Sequence, residues 1–302
     1  MSHPDEQALN FKSPALACDA HFHLFGPPEL YPHGTGLRYP PPVAPLADYR
    51  QLAATLGIER MVLVQPSAYG RDNRCLLDAM AEIGIAQCRG IVDIDENIAD
   101  AELDRLNDIG VRGVRINVSP VQPQDAGLMA KLLPRIRRLD ARCAEIGWHL
   151  DFLLPGWLTK DLMRVLHALE CEFTLAHMGM FLAKDGMWQP GFQQLLDLLR
   201  NGNGGCWVKF TGTYRISTEP GFADVLPMAQ ALIEAAPDRI IWGSDYPFLS
   251  HNDRVNLSQL LDLVPQWAPD ESIRRKILVE HPRQLVAPRQ GVEVAGCGSR
   301  VV

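Results

Sequence analysis

Two histidines separated by one residue, His21 and His23, lie at the end of an apolar run near the start of the chain, in ALACDAHFHLF. Side chains alternate between the two faces of a β-strand, so residues i and i+2 project in the same direction. Two imidazoles that project together from a strand end form half of a metal site. The spacing therefore predicts chemistry at the end of the first strand.

Eight short apolar runs rich in Val, Ile and Leu predict the elements that would position this pair. They cover residues 15–24, 60–66, 88–95, 111–118, 147–154, 171–178, 206–213 and 239–245. Near-continuous apolar runs are typical of parallel strands buried on both faces. Helical patterns separate them, and the clearest steps by threes and fours from Leu128 to Ile146. Eight strands alternating with about eight helices predict an α/β fold, a single-domain (β/α)8 TIM barrel.

A doubly wound open sheet is the alternative, and it usually has a glycine-rich turn after its first strand. The first strand here ends in HFHLFGPP, which is no such turn. We therefore expect a barrel over 15–286, an N-terminal extension over 1–14 and a weakly structured tail over 287–302. The proline-rich segment 26–48 is too long for a simple connection, and we expect it to form a lid or rim at the barrel mouth.

Composition argues against several classes of function. The formal net charge is −7, which argues against a nucleic-acid-binding surface. No apolar run reaches 18 residues, so no membrane span is expected. The seven cysteines include no C-x-x-C pair, which favours free thiols in a reducing compartment. Since the first residues also lack an apolar signal-peptide core, we expect a cytoplasmic enzyme, and a homo-oligomer stays open.

Barrel enzymes place their chemistry at the C-terminal ends of the strands. Besides the strand-one pair, these ends offer His177 after strand six and Asp245, in GSD, after strand eight. Imidazoles with one carboxylate can hold a divalent metal and leave a position for water. The carboxylate can also take the proton of that water as it attacks a carbonyl. These four residues are the predicted catalytic set.

Several stretches together resemble one known family. They are DAHFHLFGP, MVLVQPSAYGRDN, GVRGVRINV, GWH, AHMG and RIIWGSDYP, spread over residues 18 to 285. The chain resembles the amidohydrolase superfamily, in particular the branch of 2-pyrone-4,6-dicarboxylate hydrolase and related lactonases. The resemblance implies a (β/α)8 barrel that hydrolyses an ester bond in a small cyclic substrate. It also implies that Asp245 is the base and that the histidines bind metal or polarise the carbonyl.

The metal content stays open at this point. Many amidohydrolases bridge two metals with a strand-four lysine or glutamate, whereas strand four here offers Arg115 and Asn117, which argues against a binuclear site. Within the branch, the pyrone-dicarboxylate hydrolases are thought to work without a tightly held metal, and other lactonases use one zinc. One Zn or Mn at His21, His23, His177 and Asp245 and no metal at all are both compatible with the sequence.

Arginines are the residues most suited to bind an acidic substrate, because Arg binds carboxylates through two parallel hydrogen bonds. Arg115 and Arg215 are the predicted clamps for an acidic lactone. Further candidate contacts are Tyr39, Ser67, Tyr69, Asn73 and His251. Where the branch has an arginine after H-M-G and a strand-five tyrosine, this chain has Met180 and Leu153. A substrate with a smaller acidic load, such as a muconolactone, is therefore an alternative to a pyrone dicarboxylate.

Two other functions remain as alternatives. A metal-dependent decarboxylase of the same superfamily would add a strand-five histidine ligand, but we expect His149 to be packed and hydrogen-bonded instead. A non-catalytic barrel that only binds a small acid is the second alternative. Lys209 could be mistaken for a carbamylated bridging lysine, but it lies on strand seven and is not among the predicted site residues.

Overall fold

The computed structural model describes residues 10–37, 39–118, 127–251 and 253–288. Its eight strands form one parallel sheet in sequential order, and consecutive strands are hydrogen-bonded. The strands are β1 (Ala17–Phe22), β2 (Ile58–Val64), β3 (Cys88–Val92), β4 (Val111–Asn117), β5 (His149–Leu153), β6 (Phe173–Leu175), β7 (Cys206–Phe210) and β8 (Ile240–Trp242). The arrangement confirms the predicted (β/α)8 barrel.

Helices connect the strands. They are α1 (Leu46–Leu56), α2 (Arg74–Ile83), α3 (Asp100–Asp108), α4 (Leu128–Ile146), α5 (Gly156–Asp161), α6 (Met163–His167), α7 (Pro190–Asn201), α8 (Thr213–Ile216), α9 (Leu226–Ala235), α10 (Leu257–Asp262), α11 (Val264–Trp267), α12 (Glu271–Arg275) and α13 (His281–Leu285). A π-helical turn, Lys276–Glu280, joins the last two, and short 3₁₀ segments cover Ser67–Tyr69, Ala176–Met180, Ala183–Asp185 and Pro220–Val225.

The helical patterns of the sequence correspond to buried faces. In α4, Leu132, Ile136, Leu139 and Cys143 are buried against the sheet, as their spacing of three and four residues requires. The helix ends at Gly147, which adopts the left-handed conformation (φ 75°) that glycine reaches without steric cost. The bounds predicted for this helix agree with the structure.

Several strands are shorter than the apolar runs that predicted them, and two of them are very short. β6 and β8 each contain three residues, although the apolar runs extended over 171–178 and 239–245. The chain leaves the extended conformation after each strand, because His177 (φ 53°) and Asp245 (φ 60°) adopt left-handed backbone angles. The ladder therefore ends before these residues, and their side chains are set by turns rather than by strand geometry.

Backbone hydrogen bonds join the first strand to the segment that follows the last. The Asp245 N–H donates to the His21 carbonyl at 2.8 Å, and the His23 N–H donates to the Tyr246 carbonyl at 2.8 Å. The buried Asp19 carboxylate also accepts from the Ser244 N–H at 2.9 Å. The contacts that bring the ends of the barrel together thus involve the candidate catalytic residues.

Two expectations about composition can be compared with the described residues. Six of the seven cysteines are buried and free, as predicted for thiols, and Cys297 lies outside the described residues. Among the helices of the described ranges, none combines the length and the apolar character that crossing a bilayer needs.

Candidate active site

The four predicted catalytic side chains converge at the C-terminal end of the barrel. Asp245 Oδ1 lies 3.7 Å from His21 Nε2 and 3.5 Å from His23 Nε2. Its second oxygen, Oδ2, lies 3.9 Å from His177 Nε2. All four side chains are buried. The end of β1 and the turns after β6 and β8 therefore place three imidazoles around one carboxylate.

Strained backbone positions two of these residues. A left-handed conformation costs a residue with a Cβ roughly 1–2 kcal/mol, and both His177 and Asp245 adopt it. The Asp245 amide is held by the His21 carbonyl, and the His177 amide donates to Thr211 Oγ1 at 3.1 Å. Such strain persists only where the surroundings impose it, which is common at functional sites.

Two glycines that the sequence analysis did not select make room for the rings. A Cβ on Gly212 (φ 56°) would lie 2.4 Å from His177 Nδ1, and one on Gly243 would lie 2.7 Å from the His21 Cβ. Any side chain there would displace an imidazole. A glycine inside a predicted strand, in GTY and in GSD, was the signal that could have identified both, because such a glycine often marks a close approach.

The two oxygens of Asp245 have different surroundings. Oδ2 accepts hydrogen bonds from the Tyr214 hydroxyl at 2.6 Å and from Arg215 Nε at 2.8 Å. Oδ1 faces the Nε2 atoms of His21 and His23. Burial raises the pKa of Asp245, but Arg215 and the neighbouring imidazoles more than offset this effect, so the pKa lies well below the usual value. The carboxylate is therefore anionic at neutral pH, with one oxygen held in place and the other facing the rings.

Each imidazole is oriented by a bond to its Nδ1 atom. His23 Nδ1 lies 2.8 Å from the Val64 carbonyl, which can only accept, so Nδ1 carries a hydrogen and the lone pair of the neutral ring would lie on Nε2. His177 Nδ1 lies 2.8 Å from Thr211 Oγ1, and His21 Nδ1 lies 3.2 Å from Lys209 Nζ. Burial lowers the pKa of His177 to about 3 and the pKa of His21 well below its usual value. Both of these rings are neutral at pH 7.

A second charged cluster fills the barrel interior below the imidazoles. The register aligns Arg115 with Asp151 and Asp151 with Thr174 on neighbouring strands. Arg115 and Lys209 both form ion pairs with Asp151, and the Thr174 hydroxyl donates to its Oδ2 at 2.8 Å. Burial raises the pKa of Asp151, but Lys209 and Arg115 outweigh it and hold the pKa well below the usual value. Arg115, a predicted substrate clamp, thus has a structural partner as well.

A cavity of about 290 Å³ opens above this arrangement. The predicted residues that line it are His23, Tyr39, Ser67, Arg115, His177, Arg215, Asp245 and His251. The lining also includes Pro66, Asn117, Leu153, Leu249 and Ser250, of which Asn117 and Leu153 were discussed from the sequence. The Tyr39 hydroxyl and Ser67 Oγ are 3.2 Å apart, so the proline-rich segment and the loop after β2 contribute adjacent polar groups.

Two predicted substrate contacts do not reach this cavity. The Tyr69 hydroxyl accepts from the Gly26 N–H at 3.1 Å, and its ring packs beside Phe25. The Asn73 side chain donates to the Asp93 carbonyl at 2.8 Å and accepts from the Asp93 N–H at 3.0 Å. Both side chains fix loops because local backbone groups satisfy them, and the prediction that they contact substrate does not match their placement.

His149 lies apart from the other three histidines. It begins β5, at the end of the strand away from the cavity, and it is buried as expected. Among the described residues neither ring nitrogen makes a hydrogen bond of good geometry, although the ring interacts with the Arg112 backbone. A strand-five ligand of the decarboxylase type is therefore not in place here.

By distance, His21, His23 and Asp245 form a candidate metal site, since their ligand atoms lie within 4.8 Å of one another. Lys209 and Asp151 are the residues near this site that the sequence analysis did not select. A lysine within the apolar run CWVKF was the available signal, because a buried lysine requires a partner for its charge.

Comparisons with known proteins agree with this geometry. The family model described as Amidohydrolase matches residues 18–287. The chain therefore belongs to the amidohydrolase family.

Two curated relatives and one crystal structure show the extent of the similarity. A 4-sulfomuconolactone hydrolase of Hydrogenophaga intermedia is 35% identical, with 92% of this chain and 90% of the relative covered. A 2-pyrone-4,6-dicarboxylate hydrolase of Comamonas testosteroni is 32% identical over 93% of each chain. A crystal structure of an Agrobacterium tumefaciens protein is 29% identical with a TM-score of 0.81, covering 92% of this chain and 98% of that one.

Proposed function

We propose that this protein hydrolyses a small acidic lactone with water activated at the barrel mouth. The observation that carries the proposal is Asp245, whose Oδ2 is held by Tyr214 and Arg215 while Oδ1 faces two imidazoles. A carboxylate with one oxygen free beside neutral imidazoles is suited to take a proton next to a polarised carbonyl. The names of the two curated relatives, both lactone hydrolases, support this reaction class.

In the proposed reaction, water lies between Asp245 Oδ1 and the lone pair of His23 Nε2, which are 3.5 Å apart. Its oxygen attacks the ester carbonyl carbon while Asp245 takes one proton. The carbonyl oxygen becomes an oxyanion that accepts from the His21 and His177 imidazoles. The ring C–O bond then breaks, the leaving oxygen receives the proton from Asp245, and the product bears a new carboxylic acid. Fixed donors at an oxyanion stabilise the transition state because they need no reorganisation.

The cavity lining indicates how such a substrate would be oriented. Arg215 lines the cavity and uses Nε for Asp245, so its Nη groups are the donors that a substrate anion would meet. Tyr39 and Ser67 add hydroxyls, and Arg115 adds positive charge, whereas Leu153 presents an apolar surface. A ring with an anionic substituent at one end and an apolar edge at the other fits this lining, as in a muconolactone or a pyrone carboxylate.

A divalent metal, Zn or Mn, fits the site by distance but not by the chemistry of its donors. His23 Nε2 has a lone pair and Asp245 Oδ1 is anionic, so both are suitable ligands. His21 Nδ1 lies 3.2 Å from the Lys209 ammonium. An imidazole that accepts at Nδ1 carries its hydrogen on Nε2, and a protonated nitrogen is not a ligand. We therefore propose that the histidines act on the substrate carbonyl directly.

The proposed location is the cytoplasm. Six buried free thiols among the described residues support a reducing compartment. Fractionation of cells that express the tagged full chain would test this proposal.

A panel of lactones tests the function. Muconolactone, its 4-sulfo analogue and 2-pyrone-4,6-dicarboxylate would be assayed by proton release, each beside its methyl ester. We expect ring opening of at least one acid, with kcat/KM about 10-fold or more above that of its ester, because charged hydrogen bonds contribute about 1.5–3 kcal/mol. Release of carbon dioxide from a dihydroxybenzoate would favour the decarboxylase. Calorimetric binding of the acids without turnover would favour the binding barrel.

A further inference from the structure

Lys209 is a buried ammonium whose donors are all used. Its side chain is 1% exposed and crosses the barrel interior from β7. Nζ lies 3.3 Å from the Ala20 carbonyl and 3.2 Å from His21 Nδ1, and it forms an ion pair with Asp151. An ammonium has three N–H donors and no acceptor, so each hydrogen has one partner. His21 Nδ1 must then be the acceptor of the bond that it shares with Lys209.

This bond determines where the hydrogen of His21 lies. Because Nδ1 accepts from an ammonium, it carries no hydrogen of its own. A neutral imidazole has one N–H, and with Nδ1 accepting, the hydrogen lies on Nε2. His21 Nε2 has no hydrogen-bond partner among the described residues and lies 3.7 Å from Asp245 Oδ1. The N–H therefore lies on the ring nitrogen beside Asp245 Oδ1.

His23 has the opposite arrangement. Its Nδ1 donates to the Val64 carbonyl, so in the neutral ring the lone pair lies on Nε2. Two histidines that are equivalent in the H-x-H pattern thus present a donor and an acceptor to the same carboxylate. The difference comes from their Nδ1 partners, an ammonium for His21 and a carbonyl for His23.

We propose that Lys209 is a positioning residue that fixes the Nε2–H tautomer of His21 and thereby prevents the H-x-H pair from binding a divalent metal with both imidazoles. The proposal deepens the proposed function, on which its catalytic meaning rests, but the tautomer can be measured without any substrate. The Asp151 carboxylate pairs with the Lys209 ammonium inside the barrel.

The test begins with the unmodified protein. ¹⁵N NMR of protein labelled at histidine, with the His21 signals assigned by their loss in His21→Gln, reports which ring nitrogen is protonated. We expect a pyridine-type Nδ1 and a pyrrole-type Nε2 at neutral pH. A protonated Nδ1 would overturn the proposal whether or not the protein hydrolyses lactones. The expected tautomer without turnover of any lactone would leave the proposal intact and contradict the proposed function.

A pair of variants then tests the metal selectivity. Lys209→Met removes the donor to His21 but keeps a side chain of similar length, and Arg115 and Thr174 still satisfy Asp151. We expect this variant to lose the fixed tautomer and to bind zinc about 10-fold or more tightly than the parent, the size typical of changes around a metal ligand. Competition with a chromogenic zinc chelator measures the affinity.

Thr174→Val is the matched control, because it removes a hydrogen bond to Asp151 in the same buried cluster but retains both the Lys209 donor and the carboxylate that pairs with it. It should keep the parent tautomer and the weak zinc binding even where thermal unfolding shows lower stability. Equal zinc affinity in Lys209→Met and the parent would overturn the metal part of the proposal. If Lys209→Met does not fold, as circular dichroism would show, the NMR result on the parent protein decides.

Discussion

Asp245 at the barrel mouth and Asp151 in the barrel interior are both buried carboxylates paired with an arginine. Asp151 is 0% exposed, and its oxygens are used by Arg115, Lys209 and Thr174. Asp245 is 1% exposed, yet only Oδ2 receives the hydroxyl and guanidinium hydrogen bonds. Equal burial therefore gives two different groups, one saturated with donors and one with an oxygen turned toward imidazoles.

The difference separates a structural charge from a reactive one. A saturated ion cluster stabilises mainly by avoiding the cost of an unpaired buried charge. A carboxylate with a free oxygen at a cavity wall can accept a proton from a bound molecule. The pKa of both groups lies well below the usual value, so the number and direction of hydrogen bonds distinguish them, not the degree of ionisation.

The largest effect is expected from Asp245→Asn. The amide keeps the size of the side chain but cannot take a proton from water, so kcat for the lactone should fall by about 10³-fold. The temperature of unfolding should change little, since Tyr214 can still donate to the amide oxygen. Steady-state kinetics and calorimetry on one preparation measure both, and activity near that of the parent would remove Asp245 from its proposed role.

Asp151→Asn should have the opposite effects, with a large loss of stability and little change in activity. Arg115 and Lys209 would share no carboxylate, and breaking a buried ion cluster in this way costs about 3–5 kcal/mol. Urea unfolding measures the loss. Thr174→Val removes one hydrogen bond to the same carboxylate and should cost about 1 kcal/mol. If Asp151→Asn lost activity without losing stability, the distinction between interior and mouth would be wrong.

The His149→Leu variant tests how this buried histidine contributes to the pH dependence of stability. Burial lowers the pKa of His149 to about 3, so between pH 3 and its unfolded pKa the unfolded chain binds a proton that the folded protein does not. The parent should therefore lose stability as pH falls below about 6.5, and by pH 5 this histidine accounts for about 2 kcal/mol of the loss.

The His149→Leu variant should not show this part of the loss of stability, because leucine does not bind a proton. Urea unfolding at pH 7 and pH 5 measures the difference. His167→Gln, at an exposed position, controls for the loss of a histidine as such. Equal slopes in the parent and His149→Leu would show that His149 does not contribute.

A smaller effect is expected from Arg215→Met at the mouth. Burial raises and Arg215 lowers the pKa of Asp245, so removing the guanidinium should raise that pKa. The ionised base would then be lost as pH falls, and kcat/KM should drop about 10-fold between pH 8 and pH 5 where the parent shows no such step from Asp245. Arg215→Lys keeps the charge and should retain the parent profile. If the pH profile of Arg215→Met matched that of the parent, Arg215 would have no effect on the pKa of Asp245, and only its role in substrate binding would remain.

Sequence patterns predicted much of the fold and the residue types at the barrel mouth. Apolar runs predicted all eight strands, and the bounds of α4 agree with its periodicity, because both reflect local burial. The H-x-H pair, His177 and Asp245 were found because polar residues at strand ends meet at one rim of a barrel. Tyr69 and Asn73 instead bond to backbone groups of nearby loops, and sequence does not show which groups lie nearby.

Sequence alone determined the barrel, its catalytic end and the residue types gathered there, since these depend on periodicity and on strand order. Tertiary structure decided the states of those residues. Which nitrogen of His21 carries the hydrogen depends on Lys209, which is 188 positions away along the chain. Which oxygen of Asp245 is free depends on Tyr214 and Arg215. Protonation and hydrogen-bond direction are set by neighbours in space, and no local pattern encodes them.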